Sequence, residues 1–288
     1  RWGETGDVGP RTLASDRFSH RPTHDRFPAD IIRSITRYCG TFRRISLVNN
    51  LKTFNSYTNV NNALDVFAKE LEGKPPAEIL EWAISNYGER LTFATGFGAE
   101  GCVLIDLIGR HRLTIDLFTL DTGVLFEETY ELWEKLEQRY GLTIRGVTPD
   151  SNAETPELSR LWERDPDQCC SLRKVTPLQS ELQKVDAWIT AIRRDQTPQR
   201  ATASVVERDK KFEIVKVNPL VSWTKQDVWK YLHDFRVPYN PLHDRGFPSI
   251  GCWPCTSPIN PGEEDRSGRW RGISKTECGL HETVILTD

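Results

Sequence analysis

The chain has 288 residues, 38% of them hydrophobic and 27% charged, with a net charge of −3. That length accommodates one or two domains with a sizeable core, and the composition is that of an ordinary soluble protein, not a disordered or membrane one. It contains no run of about 18 apolar residues, so no membrane span is expected, and the near-neutral balance offers no general electrostatic case for nucleic acid.

Residues 1–50 differ from the rest. They carry nine arginines and no lysine, whereas the lysines all follow, and the chain has no methionine. No helical or strand period emerges before Ile31. Arginine and serine allow a transit peptide, but Glu4, Asp7, Asp16, Asp25 and Asp30 weigh against one. A disordered or adventitious extension is the expectation for 1–50, followed by a domain over 51–262 and a tail over 263–288.

Organised sequence begins near Val60. Asn61 and Asn62 can cap a helix carrying Leu64, Phe67, Ala68 and Leu71, which Gly73 ends. Pro75-Pro76 opens a second, with Ile79, Leu80, Ala83 and Ile84 inward and Gly88 after it. Leu91–Thr95 reads as a buried strand, 96–101 as a turn and Cys102–Arg110 as a helix. Thr114–Leu120 is a second strand, Phe126–Tyr140 a long helix and Leu142–Val147 a third strand. The segment 151–168 reads as a loop with one helical turn near Leu158–Trp162. Asp186–Ile192 is a fourth strand, Ile214–Val217 another, and Trp223-Thr224 starts a helix with Val228, Trp229 and Leu232 on one face. From Pro238 to Gly272, frequent Pro and Gly predict irregular structure.

This order implies an α/β fold: a Rossmann-like parallel sheet with helices on both faces, followed by a mobile C-terminal tail. Ligands of such sheets bind beyond the C-terminal strand ends, where the strand order reverses. Three loops emerge there. In the first, Thr95, Gly96, Phe97, Gly98 and Ala99 join a strand to a helix, where backbone N–H groups can approach an anion. It matches neither the P-loop nor the dinucleotide fingerprint, and a plain tight turn is the alternative. Asp121, Thr122 and Gly123 suit ribose or base recognition, or merely cap the following helix. Arg193, Arg194 and, further on, Arg200 can grip phosphate or sulfate, or form a solvated charge cluster.

Seven cysteines, an odd number with one adjacent pair and one C-x-x-C, argue against a secreted disulfide framework and for metal or redox chemistry in a reducing compartment. Cys169, Cys170, Cys252 and Cys255 suffice for one tetrahedral zinc or one iron–sulfur cluster. An adjacent pair distorts a zinc knuckle, whereas the separate corners of a cubane accept neighbours, and a disulfide between adjacent residues is strained. Buried inert thiols remain the plain alternative. Arg173 and Lys174 follow one turn later, placing positive charge beside the thiolates. Near the end, Arg266, Arg269, Arg271 and Lys275 make a basic approach to Cys278, with Glu277 and His281 flanking it. That setting favours a reactive thiolate.

The segments CCSLRKVTPL (169–178), GCWPC (251–255) and KTECGLH (275–281), together with TGFGAEG, LDTG and RRDQTPQRA, resemble the assimilatory adenylyl-sulfate reductases of the phosphoadenylyl-sulfate reductase family, over about residues 60–282. The resemblance implies a cytoplasmic enzyme that reduces adenosine 5′-phosphosulfate to sulfite and AMP. It implies a 4Fe–4S cluster on Cys169, Cys170, Cys252 and Cys255, with Lys174 between cluster and substrate. The nucleotide would lie against residues 95–99 and 121–123, its phosphosulfate against Arg193, Arg194, Arg266 and Arg269. Cys278 would attack sulfur to form an S-sulfocysteine, with His281 positioning the tail or tuning the thiol, and thioredoxin or glutaredoxin would release sulfite. Related phosphoadenylyl-sulfate reductases share fold and tail but typically lack the cysteine quartet. A nucleotide-binding protein with a zinc site and no reductase activity is the alternative from another class. Neither a membrane nor nucleic acid is an expected partner, and a homo-oligomer is allowed.

Overall fold

A computed structural model of the chain describes residues 57–149, 160–275 and 277–280. Residues 1–50, residues 150–159 and His281 lie outside the described residues.

Two helices lead in, α1 (Tyr57–Leu71) and α2 (Pro76–Tyr87), the latter opened by a proline in its first turn. The sheet then builds from its centre. β1 (Leu91–Thr95) is followed by α3 (Ala99–His111), β2 (Asp116–Leu120), α4 (Glu127–Tyr140) and β3 (Ile144–Val147). Two short helices, α5 (Leu161–Arg164) and α6 (Pro166–Cys170), run through a π turn (Ser171–Val175) into α7 (Thr176–Leu182). β4 (Ala187–Ile189), β5 (Val206–Arg208), β6 (Val215–Val217) and α8 (Lys225–Asp234) complete the elements before an irregular C-terminal part.

The strands lie in the order β3-β2-β1-β4-β6-β5. All pairings are parallel except β5 against β6. The sheet is therefore parallel as expected apart from one antiparallel edge. Its strands are covered on both faces, and the period of two shows it. Phe93, Leu117, Ala187 and Ile189 join the larger core with α1–α4 and α8, while Ala94, Phe118 and Trp188 face a second cluster with Leu178 and Leu182 of α7.

Several boundaries differ from expectation, among them β3, which starts at Ile144 rather than Leu142, and the helices from Leu161 to Cys170, part of which was expected as loop. α3 begins at Ala99, not Cys102, with Gly98 as its N-cap. Regular pairing in β2 starts at Asp116 rather than Thr114, and β4 is confined to 187–189. α3 is buried along most of its length, including Asp106, which is fully enclosed. That carboxylate accepts from Tyr140 Oη at 2.7 Å, Tyr231 Oη at 2.6 Å and Arg110 Nη2 at 3.0 Å, tying α3 to α4 and α8. Burial, and then the bond to Asp106, push both phenols well above their usual range.

β1 is flanked by β2 on one side and β4 on the other, so the order reverses between β1 and β4. The loops after β1, β2 and β4 open at that crevice, as parallel pairing requires.

Candidate active site

The loop after β1 is short because α3 starts early. Thr95 Oγ accepts from Phe97 N at 3.1 Å, which folds the backbone back on itself. The α3 N-terminus has no side-chain cap, so its first N–H groups face the crevice. Phe97, one of the sequence candidates, turns its ring into the core and stacks on Trp133 with centroids 5.7 Å apart. Only its backbone belongs to the loop.

The loop after β2 meets the cysteines. Thr122 Oγ lies 3.3 Å from Cys252 Sγ, and Thr122 O accepts from Arg173 Nη1 at 2.7 Å. Leu125 bridges Cys252, and Trp253 N donates to Val124 O. Asp121 accepts from Tyr130 Oη at 2.7 Å and from Gly123 N at 3.0 Å, which fixes the carboxylate.

Cys169 and Cys170 end α6, and the π turn that follows sets Arg173 and Lys174 beside them. Both cysteine pairs line one cavity with Lys174 and Arg269, so residues about 80 positions apart in sequence converge. Among the described residues no preformed group of three or more His, Cys, Asp or Glu side chains is arranged around a single metal position. As a donor set, four soft thiols ringed by cations suit iron–sulfur or zinc binding.

Charge is distributed unevenly. Burial pushes Cys169, Cys170 and Cys255 up, Cys170 to about 11. Cys252 goes the other way. Burial opposes its thiolate, but Lys174, the Thr122 hydroxyl and Arg269 together outweigh it and bring the thiol below its usual value. Burial likewise opposes the Lys174 ammonium, and the sulfurs of Cys252 and Cys278 hold it above its ordinary range. Lys174 thus sits within electrostatic reach of both the quartet and Cys278.

Arg269 is a further, half-buried cation, depressed by desolvation. Its guanidinium stacks 4.5 Å from the Trp270 ring centroid, and Nε has no hydrogen-bond partner. Trp270 is 2% exposed, and Thr256 bridges Arg269, so this part of the expected tail packs onto the 251–258 segment. Cys278 is half-buried beside these groups. Lys275 pairs with Asp167, Lys211 Nζ donates to Gly279 O, and Leu280 packs on the cluster of Phe118 and Trp188. Glu277 bridges Arg266 at 3.1 Å and Arg200 at 3.5 Å.

The two strand-end arginines fare differently from expectation. Arg193 is buried against Glu100 at 2.8 Å and Asp195, and with Lys225, Trp229 and His243 it lines a cavity of about 260 Å³. Arg194 points the other way, bidentate to Glu72, just past the end of α1, at 2.6 and 2.8 Å and donating to Ala203 O. It is engaged in a fold contact. Arg200, further along, faces Cys278 and Arg266 instead. Sequence reasoning missed Glu277 as the partner of these arginines and Lys211 as an anchor of the tail. A carboxylate next to the thiol was the one available signal.

The family model for the phosphoadenosine phosphosulfate reductase domain matches residues 90–258, more than half of the chain. This chain belongs to that family. An adenosine 5′-phosphosulfate reductase of Bacillus subtilis (strain 168) is 47% identical over 231 residues, covering 79% of this chain and 99% of that protein. Another of that name, from Halalkalibacterium halodurans, is 46% identical over 217 residues, covering 74% and 94%. Among solved structures, a phosphoadenylyl-sulfate reductase from Candida auris, in a phosphate complex, aligns with a TM-score of 0.60 at 32% identity, covering 68% of this chain and 96% of that one. A Candida glabrata FMN adenylyltransferase aligns with a TM-score of 0.50 at 16% identity over 69% of this chain and 67% of that one, a likeness of fold alone. Family membership agrees with the resemblance read from the cysteine motifs. Among the described residues no helix is long and apolar enough to cross a membrane.

Proposed function

We propose that this chain reduces adenosine 5′-phosphosulfate to sulfite and AMP, with Cys278 as the nucleophile. The observation that carries the proposal is the position of Cys278 among Lys174, Arg200 and Arg269, beside the four thiols. The relatives reported above carry the name of that activity.

The backbone of 95–99 and the Asp121–Gly123 loop would hold the nucleotide at the crevice. Arg200, Arg266 and Arg269 would grip the phosphosulfate, while Arg193 shapes the loop through Glu100. The Cys278 thiolate attacks sulfur, the bond from sulfur to the phosphate oxygen breaks, and AMP leaves with the electron pair. Cys278 then carries S-sulfonate. An external dithiol of the thioredoxin or glutaredoxin type attacks Cys278 Sγ, sulfite leaves, and the donor's second thiol resolves the mixed disulfide. Two electrons pass from the donor to sulfur. Cationic side chains around Cys278 meet the charge of the departing groups.

A 4Fe–4S cluster would be held by Cys169, Cys170, Cys252 and Cys255, and the enclosing Arg173, Lys174 and Arg269 suit its net negative charge. When bound, the cluster supplies a fixed charge close to the substrate site. Anaerobically purified protein should be brown and contain iron. A colourless, zinc-loaded and active enzyme would contradict this assignment.

Sulfite formation from adenosine 5′-phosphosulfate and from its 3′-phosphorylated form, assayed side by side with thioredoxin, tests the substrate. The proposal requires the unphosphorylated form to be preferred. A preference for the other would move the chain to the phosphoadenylyl-sulfate group, and no sulfite from either would overturn the proposal.

A further inference from the structure

Glu277 sits where two guanidinium groups converge. Arg266 Nη2 lies 3.1 Å from one carboxylate oxygen and Arg200 Nη2 3.5 Å from the other. Side-chain exposures of 13% for Arg200 and 14% for Glu277 place the contact largely out of solvent. Desolvation opposes the Arg200 charge, and Glu277 is the largest influence supporting it. Two guanidinium groups thus meet one carboxylate, with Arg269 in electrostatic reach of Arg266 and of the neighbouring Cys278. A more highly charged oxyanion suits the same donors better.

We propose that Glu277 is an internal stand-in for the substrate's anionic group: it occupies Arg200 and Arg266 when the site is empty, and substrate binds by displacing it. This rests on the reading of those arginines as ligands of the phosphosulfate. The neighbouring contacts make the arrangement useful. Cys278 follows Glu277 directly, and the segment is also held by Lys275 on Asp167, by Lys211 on Gly279 O and by Leu280 on the Phe118–Trp188 cluster. Release of Glu277 therefore loosens only one of the anchors around the thiol. An empty site keeps Cys278 docked and Arg200 and Arg266 paired with Glu277. A filled site hands the arginines to substrate while the remaining anchors keep the thiol near. Glu277 is thus a positioning residue that acts through Arg200 and Arg266.

A mere structural latch would give different binding. In a Cys278→Ser background, which blocks turnover, Glu277→Gln should bind adenosine 5′-phosphosulfate about tenfold more tightly, because a competing charge-assisted contact is removed. Glu277→Asp, which keeps the charge, should stay near the parent affinity. With Cys278 intact and no nucleotide, sodium sulfate should speed alkylation of Cys278, mapped by peptide mass, relative to sodium chloride at equal ionic strength. Glu277→Gln should already react quickly and ignore sulfate. Unchanged or weaker substrate binding in Glu277→Gln, or a wild-type thiol indifferent to sulfate, would overturn the proposal. Failure of the functional reading shows separately, as wild-type protein that makes no sulfite.

Discussion

Replacing Gly251 with alanine should dislodge Arg269. A Cβ at this position would lie 2.4 Å from Nη2, 2.6 Å from Cζ and 3.0 Å from Nη1 of Arg269. The backbone at 251 is not left-handed, so alanine itself is tolerated there and the cost is steric. The guanidinium that must give way stacks on Trp270 at 4.5 Å, and its bonds to Ser249 and Ile250 O are long, at 3.5 and 3.4 Å. Loss of a desolvated cation–π contact costs about 2 kcal/mol, and overpacking costs about 1–3 kcal/mol if the side chain stays. A destabilisation of about 1–3 kcal/mol follows, which lowers the thermal midpoint by about 2–4 °C for each kcal/mol. If Arg269 grips the phosphosulfate, KM for adenosine 5′-phosphosulfate should also rise by about tenfold or more, as expected for one lost contact to a charged group. Differential scanning calorimetry and initial-rate sulfite assays measure the two effects, and iron content should stay at the wild-type level. A variant with unchanged midpoint and unchanged KM would refute the placement of Arg269 and its role together.

Other substitutions separate fold from site. Arg194→Ala should lower stability modestly, because it breaks the bidentate pair with Glu72 on a partly exposed surface, and should leave KM unchanged. Arg200→Ala should raise KM strongly, and the contrast between the two is read from the same steady-state assay. Gly96→Ala should be nearly neutral in thermal unfolding, since a Cβ there meets nothing within 4 Å, yet should raise KM if phosphate approaches that backbone. Asp106→Leu should destabilise by about 3–5 kcal/mol in denaturant titration, because it strands Arg110 and two tyrosine hydroxyls. Acid should also weaken the β2–β3 edge. Asp116 is held below its ordinary value first by hydrogen bonds from Arg145, so its contribution is complete above about pH 4 and fades as pH falls through the lowered folded value. Arg145→Ala should flatten the acid limb of the stability curve.

Much of the fold was legible because its strongest elements are local. Leu91–Thr95 is a buried apolar run followed by small residues, and such a run has few alternatives to a central strand. β5 was not legible. Val206–Arg208 is three residues long with no alternation to read, and it exists as a strand through its pairing with β6. The helix before Cys169 and Cys170 was read partly as loop because proline marks breaks, yet Pro166 sits in its first turn, where proline is favourable. The cysteines and Lys174 were found because their spacing has chemical meaning. Arg193 and Arg194 show the opposite case. β4 ends at Ile189 and a 3-10 turn begins at Arg194, so sequence could not tell the buried arginine from the one that pairs with Glu72. Glu277 was visible beside the thiol, but its arginine partner at 200 lies 77 positions away, and only the folded chain brings them together.

The central claim is that Cys278 takes the sulfonate from the nucleotide. Adenosine 5′-phosphosulfate given to the reduced protein without any thiol donor should release AMP once and leave an S-sulfonate that peptide mass mapping places on Cys278. Added thioredoxin should then remove that group as sulfite, and Cys278→Ser should do neither. An adduct on another cysteine, or sulfite released with no adduct at all, would contradict the account.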